Sequence, residues 1–193
     1  KATPANVGYH GFPKTLCTSV NGVVCHGIPS EKEVLKDGDI INIDVTVILD
    51  GWHGDASRMY AVGERVPVKA HKLVEVTFAC MRAGIEAVRP GATLGDVGHA
   101  IQTYVEGQRF SVVRDFCGHG IGREMHEEPE VLHYGKPGTG LMLREGMVFT
   151  IEPGLYDPAV GGFRHSDTVA VTEEAVEILT DYPSDIESLT LPV

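Results

Sequence analysis

The stretch from Asp39 to Tyr60 constrains the fold more than any other part of the chain. Apolar and β-branched residues recur at alternate positions of the run Ile40–Leu49, which is the pattern of a half-buried β-strand. Asp50-Gly51 is a dipeptide typical of two-residue hairpin turns, and Trp52–Tyr60 provides a returning strand. The sequence therefore predicts a long antiparallel β-hairpin.

Two helices are predicted after this hairpin. Apolar residues at helical spacing extend from Val68 to Val88, and Arg89-Pro90-Gly91 ends the segment. Thr93 is a candidate N-cap for a second helix that continues to about Gly107. Around a glycine-rich loop at 117–146, short strands are predicted at Phe110–Val113, Met147–Glu152, Thr168–Thr172 and Val176–Leu179. This order predicts an α+β fold in which an antiparallel sheet carries both helices on one face.

Composition limits the class of protein and its partners. A chain of 193 residues is long enough for a substantial core, and the sequence predicts a single domain over residues 1–193. Acidic residues outnumber basic ones by 27 to 16, and the net charge of −11 disfavours nucleic-acid binding. No apolar run has the length of a membrane span. The four cysteines contain no C-x-x-C pair, which predicts free thiols and a reducing, cytoplasmic location.

Asp44 and Asp55 are the first candidates for a functional site. If the hairpin loop has two residues, Asp44 faces Ser57 across the hairpin and Thr46 faces Asp55. Both carboxylates then lie on one face of the sheet, where a shared cation or proton would offset their repulsion. Such a pair suits two metal ions about 3.5–4 Å apart. The alternative is two solvated aspartates on an exposed face.

Three further groups place imidazole or carboxylate side chains next to apolar segments. His119 lies between two glycines, His126 follows it in the same loop, Glu152 ends an apolar segment, and His26 leaves another. Simpler interpretations are a hydrogen-bonded loop for the two loop histidines, a salt bridge to an arginine for Glu152, and a capped core residue for His26. Taken with the aspartates, these donors form a set that suits Mn, Fe, Co or Zn.

Several segments resemble those of the type I methionine aminopeptidases. They are Gly8–Pro13, Cys17–Asn21, Val23–Pro29, Asn42–Thr46, His53–Asp55, Cys117–Gly122, His126–Pro129 and Phe149–Pro153. The resemblance covers most of the chain up to Glu152, in the order and spacing of the family. It implies the pita-bread (creatinase/aminopeptidase) fold, in which two pseudo-symmetric αβ halves surround a dinuclear metal site. It also implies a metal-dependent enzyme that removes the initiator methionine from new proteins.

The same resemblance implies a role for each candidate residue. The matches to metal ligands are Asp44, Asp55, His119 and Glu152. The matches to substrate-contacting catalytic histidines are His26 and His126, and Glu152 would move a proton in the reaction. The matches to the methionine pocket are Tyr9, Phe12 and Cys17. The implied cofactors are two divalent ions of Co, Mn, Fe or Zn, and the implied partners are N-termini of nascent polypeptides near the ribosome.

Three features depart from the family pattern. The family's N-terminal segment is missing before Gly8, so the first half of the fold is expected to be incomplete and the chain to be a fragment. Ser166 stands where the family has a glutamate as fifth ligand, so a second metal would be weakly held unless His165 or Asp167 replaced it through a shift of register. The segment Gly154–Arg164 is more similar to Xaa-Pro peptidases of this fold. Two alternatives stay open: an Xaa-Pro peptidase, and a binding module that has lost its metal.

Overall fold

The first sheet is built around the predicted hairpin. The structure is a computed structural model that describes residues 1–180, 182–183 and 187–193. Its first strands are β1 (Thr3–Pro4), β2 (Cys17–Val20), β3 (Ile40–Leu49) and β4 (Trp52–Val62). β3 and β4 pair in antiparallel orientation, and the turn residues Asp50 and Gly51 have φ of 53° and 80°, as a tight turn of matching twist requires. The predicted two-residue loop is confirmed.

The polar face of this hairpin is the buried one. β1 and β2 pair with one edge of β3, and Asn42, Asp44 and Thr46 on β3 are all buried, whereas Val45 between them is 38% exposed. Burial of polar groups is tolerated when they are hydrogen-bonded. The Asn42 side-chain amide donates to the backbone carbonyl of Arg164 at 2.7 Å. The buried polar face is therefore the face that packs against the rest of the chain.

Two helices follow, as the sequence predicts. They are α1 (Val68–Glu86) and α2 (Leu94–Gly107). Thr93 caps α2 in a capping box, because its side chain accepts from the Asp96 backbone N–H while the Asp96 carboxylate accepts from the Thr93 backbone N–H. In the described part of the chain, no helix has the length and apolar character needed to cross a lipid bilayer.

The remaining strands form a second sheet and a separate ribbon, except for the last one, which joins the first sheet. They are β5 (Gly118–Gly120), β6 (Glu127–Val131), β7 (Val148–Ile151), β8 (Gly154–Asp157), β9 (Gly161–Arg164), β10 (Asp167–Val171), β11 (Val176–Ile178) and β12 (Thr190–Leu191). The second sheet has the order β11-β10-β7-β5-β6, and β8 pairs with β9 as a ribbon. β12 adds to β4 of the first sheet in parallel orientation.

The main core lies where the helices cover the second sheet and the ribbon. Buried residues of this core include Leu73 and Ile85 of α1, Ile101 of α2, Phe149 of β7 and Phe163 of β9. Apolar burial at about 25 cal/mol per Å² is the dominant stabilising contribution to such a core. The core therefore anchors β7 and β9, and both strands lead directly into the candidate site.

The structure differs from the sequence predictions in how the strands are distributed. The α+β class with two helices is confirmed, but within the described residues the strands fall into two sheets and a ribbon rather than one sheet. The strand predicted at Phe110–Val113 is wrong, since the structure has a single bridge there, between Val112 and Leu155. The predicted loop at 117–146 contains β5 and β6. Short strands of this kind lack a local period and are stabilised by partners distant in sequence.

Candidate metal and substrate site

One cavity, of about 860 Å³, is lined by residues from both sheets. It brings together all the residues predicted from the sequence as ligands or substrate contacts: Tyr9, Phe12, Cys17, His26, Asp44, Asp55, His119, His126 and Glu152. These residues come from segments more than a hundred positions apart. Concave sites with a few convergent polar groups are the usual form of a substrate-binding site.

Asp44 and Asp55 lie on the same face of the hairpin. The register places Asp44 opposite Ser57 and Thr46 opposite Asp55, which confirms the predicted geometry. Both aspartates are buried, so the alternative of two solvated aspartates on an exposed face is wrong. The Thr46 hydroxyl donates to Asp55 Oδ1 at 2.7 Å. Burial, with the neighbouring negative charges of Asp44 and Glu152, raises the pKa of Asp55 well above its usual value.

The Nε2 atom of the His119 ring faces the cavity and carries a free electron pair. The Nδ1–H of this ring donates to the backbone carbonyl of Gly120 at 2.9 Å, which leaves Nε2 without the proton. Burial lowers the pKa of His119, which favours the neutral form of the ring. The glycines on either side are needed for strand packing, because a Cβ would lie 2.3 Å from the Thr150 carbonyl oxygen at Gly118 and 2.2 Å from the Glu128 carbonyl oxygen at Gly120.

Glu152 follows β7 and points its carboxylate into the same space. Its Oε1 accepts a hydrogen bond from the Thr150 hydroxyl at 2.8 Å and lies 3.4 Å from His119 Nε2. Its backbone N–H donates to Nε2 of the buried His133 at 3.1 Å. Burial raises the pKa of Glu152, and the adjacent positive charge of Arg164 partly opposes this rise. Contacts with Thr150, His133 and Arg164 thus hold Glu152 in position.

Asp55, His119 and Glu152 form a group that fits a divalent cation. Each offers a ligand atom, and these atoms all lie within 4.8 Å of one another. Carboxylate oxygen and imidazole nitrogen are donors that suit Mn, Fe, Co and Zn. Catalytic sites often use three protein ligands and leave a position open for water or substrate. Asp44, the fourth predicted ligand, lies beside this group but is not part of it.

Arg164 occupies the site between Asp44 and Glu152. One of its guanidinium nitrogens donates to Glu152 Oε2 at 3.0 Å, and the other makes a short contact with Asp44 Oδ2. Burial by itself would lower the pKa of Arg164, but the two carboxylates outweigh burial and raise it above its ordinary value. The alternative interpretation of Glu152 was a salt bridge to an arginine, and that salt bridge is present. Glu152 also belongs to the group that fits a cation.

Sequence reasoning did not assign a role to Arg164. A signal was available, because side chains two positions apart on an extended chain share a face, and Arg164 lies two positions before Ser166. A residue expected to face the metals at position 166 implies that residue 164 faces them as well. In the structure, the Arg164 side chain lines the cavity and contacts Asp44 and Glu152.

The register around Ser166 is not shifted. Ser166 pairs with Ser57 in an isolated antiparallel bridge, so it lies in line with Asp44 across β4. Asp167 is bound to Arg58, whose guanidinium donates to its Oδ1 at 2.6 Å. His165 is buried and packs edge-on against Phe78, with ring centroids 5.4 Å apart. Neither neighbour of Ser166 lines the cavity, so neither substitutes for the missing glutamate.

The outer wall of the cavity carries the predicted substrate contacts. Tyr9 and His126 share a hydrogen bond of 2.7 Å between the phenol oxygen and Nδ1, and the His126 and His119 rings are 4.3 Å apart. His26 has a positive φ of 56° and packs edge-on against Phe116. Both His26 and His126 are exposed, which places them where a substrate would enter.

Cys17 forms part of the inner wall beside the carboxylates. It begins β2 directly opposite Asp44 in the sheet. Burial, with the negative charge of Asp44, raises the pKa of Cys17 to about 11, so the side chain stays a neutral thiol. A neutral thiol behaves as a small apolar group. This wall therefore offers an apolar surface next to a charged one.

The fold and the carboxylate-imidazole site define a metallopeptidase. The sequence pattern of metallopeptidase family M24 matches residues 2–173, and the chain belongs to this family. Within the family, the chain is 52% identical to a methionine aminopeptidase of Rickettsia prowazekii, over 96% of this chain and 78% of that protein.

Solved structures support the same placement. The crystal structure of methionine aminopeptidase from Rickettsia prowazekii superposes with a TM-score of 0.87 at 51% identity, covering 92% of this chain and 78% of that one. The prolidase from Pyrococcus horikoshii has a TM-score of 0.77 at 27% identity, covering 89% of this chain and 48% of that one. The pita-bread fold implied by the sequence is therefore confirmed.

Proposed function

We propose that this chain is a metal-dependent aminopeptidase that removes the N-terminal methionine from polypeptides. The observation that carries the proposal is the convergence of nine predicted site residues on one cavity, with Asp55, His119 and Glu152 close enough to share a cation. The likeness to the methionine aminopeptidase of Rickettsia prowazekii, in sequence and in structure, supports the proposal independently of the cavity.

Asp55, His119 and Glu152 would hold the cation at the inner end of the cavity. When bound, a divalent cation lowers the pKa of a water molecule and polarises a substrate carbonyl. Burial raises the pKa of Glu152, and a carboxylate within reach of the reacting groups can accept and return a proton. Glu152 would therefore take the proton of the attacking water at a carboxylate oxygen and pass it to the leaving amine.

His126 and His26 would stabilise the charge that develops on the substrate. Each is exposed at the cavity wall, where a ring N–H can donate to the carbonyl oxygen as it becomes negative. The hydrogen bond between Tyr9 and His126 Nδ1 orients the His126 ring, and leaves Nε2 to face the substrate. Donors held in position before the reaction need no reorganisation during it.

Tyr9, Phe12 and Cys17 would form the pocket for the methionine side chain. All three line the cavity, and a thioether binds well against aromatic rings and a neutral thiol. An extended polypeptide N-terminus entering past His26 and His126 would place its first peptide bond beside Asp55, His119 and Glu152, the residues that would hold the cation. Nascent polypeptides in the cytoplasm, close to the ribosome, are the substrates we propose.

Cleavage before proline is the second candidate. The feature that favours it is the ribbon β8–β9, because the sequence of Gly154–Arg164 is more similar to that of Xaa-Pro peptidases of this fold. The likeness to a prolidase at 27% identity is much weaker than the likeness to a methionine aminopeptidase at 51%. We therefore favour removal of an N-terminal methionine over cleavage before proline.

A peptide assay separates the two candidates. The metal-free protein is reloaded separately with Mn, Fe, Co or Zn and given Met-Gly and Xaa-Pro peptides of equal length. Release of free methionine, abolished by a chelator, is the expected result. His99→Ala, which changes an exposed helix residue outside the cavity, should leave the rate unchanged. Cleavage of Xaa-Pro peptides alone, with each of the four metals, would show that the proposal is wrong.

A further inference from the structure

We propose that the Arg164 guanidinium takes the place of the second metal ion, so that this chain binds a single divalent cation at Asp55, His119 and Glu152. The inference rests on the proposed metal-dependent function and makes it more specific. It concerns the number of ions bound, which is measured without any assay of activity.

The first support is the way in which Glu152 divides its two oxygens. Oε1 faces the cation-binding group, lying 3.4 Å from His119 Nε2. Oε2 accepts from the Arg164 guanidinium at 3.0 Å. The Glu152 carboxylate is therefore shared between the cation-binding group and the positive charge of Arg164.

The second support is that Arg164 contacts the predicted ligand that the cation-binding group leaves out. Its second nitrogen makes a short contact with Asp44 Oδ2. Asp44 is buried and would otherwise hold an uncompensated charge, which is strongly unfavourable. Arg164 thus forms salt bridges with both Asp44 and Glu152. Three ligands, Asp55, His119 and Glu152, remain for one ion.

The third support is charge balance. Among the described residues, the buried charged side chains that line the cavity are Asp44, Asp55, Glu152 and Arg164. Three ionised carboxylates and one guanidinium carry a net charge that one divalent cation neutralises. The glutamate that the family resemblance implies at position 166 would add a fourth carboxylate, whereas Ser166 adds no charge. Arg164 and one divalent cation are therefore enough to balance the carboxylates of this cavity.

The surroundings of Ser166 agree with the replacement of a second metal ion by the Arg164 guanidinium. Its hydroxyl and that of the paired Ser57 are buried, and neither has a hydrogen-bond partner among the residues that the structure describes. A single hydroxyl cannot bridge two ions, and no neighbour on the strand replaces it. Arg164 is consequently a positioning residue: it holds the Asp44 and Glu152 carboxylates and occupies the space that a second ion would need.

Metal analysis tests the inference directly. The purified chain is stripped with a chelator, titrated with Mn²⁺ by calorimetry, and its bound metal is counted by elemental analysis. We expect one tight site per chain in the wild type and two in the Arg164→Gln/Ser166→Glu double variant. Arg164→Lys, which keeps the positive charge, should retain one site. Two equally tight sites in the wild type would overturn the inference.

The single variant Arg164→Gln tests the inference even if the double variant does not fold. Arg164→Gln removes the charge but keeps a polar side chain, so we expect a lower Tm in the metal-free state and a larger rise in Tm on adding Mn²⁺ than in the wild type. Arg144→Gln, at an exposed arginine, serves as the matched control and should behave as the wild type. An Mn²⁺-dependent rise in Tm equal to that of the wild type would contradict a cation role for Arg164.

The outcomes distinguish this inference from the proposed function. If one ion binds but no methionine is released, the function is wrong and the inference stands. If two ions bind and methionine is released, the function stands and the inference is wrong. If no ion binds to a folded wild-type chain, both are wrong, and the fold serves as a metal-deficient binding module.

Discussion

Ser57 and Ser166 pair backbone to backbone at the junction of the two sheets. The Ser57 N–H donates to the Ser166 carbonyl at 3.2 Å, and the Ser166 N–H donates to the Ser57 carbonyl at 3.0 Å. Asp44 lies opposite Ser57 on β3, so this pair sets the distance between Asp44 and the segment that carries Arg164. The position of the guanidinium in the site thus depends on a contact between residues 109 positions apart.

The two aspartates should differ in their effect on metal affinity. Asp55 belongs to the group that fits a cation, whereas Asp44 contacts Arg164. Asp55→Asn should weaken Mn²⁺ binding by more than about 100-fold, and Asp44→Asn by about 10–100-fold, which is the range for loss of an outer-shell partner. Isothermal titration measures both. Equal losses would place Asp44 among the ligands of the same ion.

His126→Ala should lower kcat and kcat/KM together, by about 10²–10³-fold, because it removes a donor that acts on the developing charge. Bound metal, measured on the same preparation, should not change. Tyr9→Phe removes the hydrogen bond to Nδ1 and should give a smaller loss of the same kind. Loss of metal from His126→Ala would instead identify His126 as a ligand.

Arg58→Met should destabilise the fold by about 3–5 kcal/mol, because it leaves the buried Asp167 without its partner at 2.6 Å. Urea unfolding of the metal-free protein measures the change. The matched control is Arg65→Met, which removes an ion pair with Asp37 from a side chain that is 84% exposed. That change should cost less than about 1 kcal/mol. Similar losses in the two variants would contradict a structural role for the buried pair.

His165 should make the fold sensitive to acid. Burial, with the nearby positive charge of Arg58, lowers the pKa of His165 to about 3, against about 6.5 in the unfolded chain. Below pH 6.5 the unfolded state therefore binds a proton that the folded state does not, and the free energy of unfolding falls as the pH falls. Between pH 7 and pH 5 this histidine should remove about 2 kcal/mol of stability.

The comparison with His165→Leu isolates this effect from other titrating groups, including carboxylates of the site. Urea unfolding in the presence of a chelator, at pH 7 and at pH 5, gives the change in stability for each protein. The variant should lose about 2 kcal/mol less than the wild type over this interval. The same pH dependence in both proteins would show that His165 is protonated in the folded state.

Local features of the fold were predictable because their causes are local. The alternating pattern of Ile40–Leu49 and the turn chemistry of Asp50-Gly51 predict the hairpin and its register, and the register places Asp44 and Asp55 on one face. Thr93 ends up as the cap of α2 because its own side chain satisfies a backbone N–H three residues away. The motifs around His119 and Glu152 indicated the site by resemblance.

The tertiary structure alone decides which charged groups come into contact. The sequence itself determined the hairpin, the helices and the set of candidate donors, since period, turn and cap chemistry act over a few residues. It did not determine that Arg164 reaches Asp44, 120 positions away, or that Asp44 stands outside the group formed by Asp55, His119 and Glu152. Those relationships follow from the packing of the first sheet against the second sheet and the ribbon, where burial makes each unpaired charge unfavourable and so selects its partner.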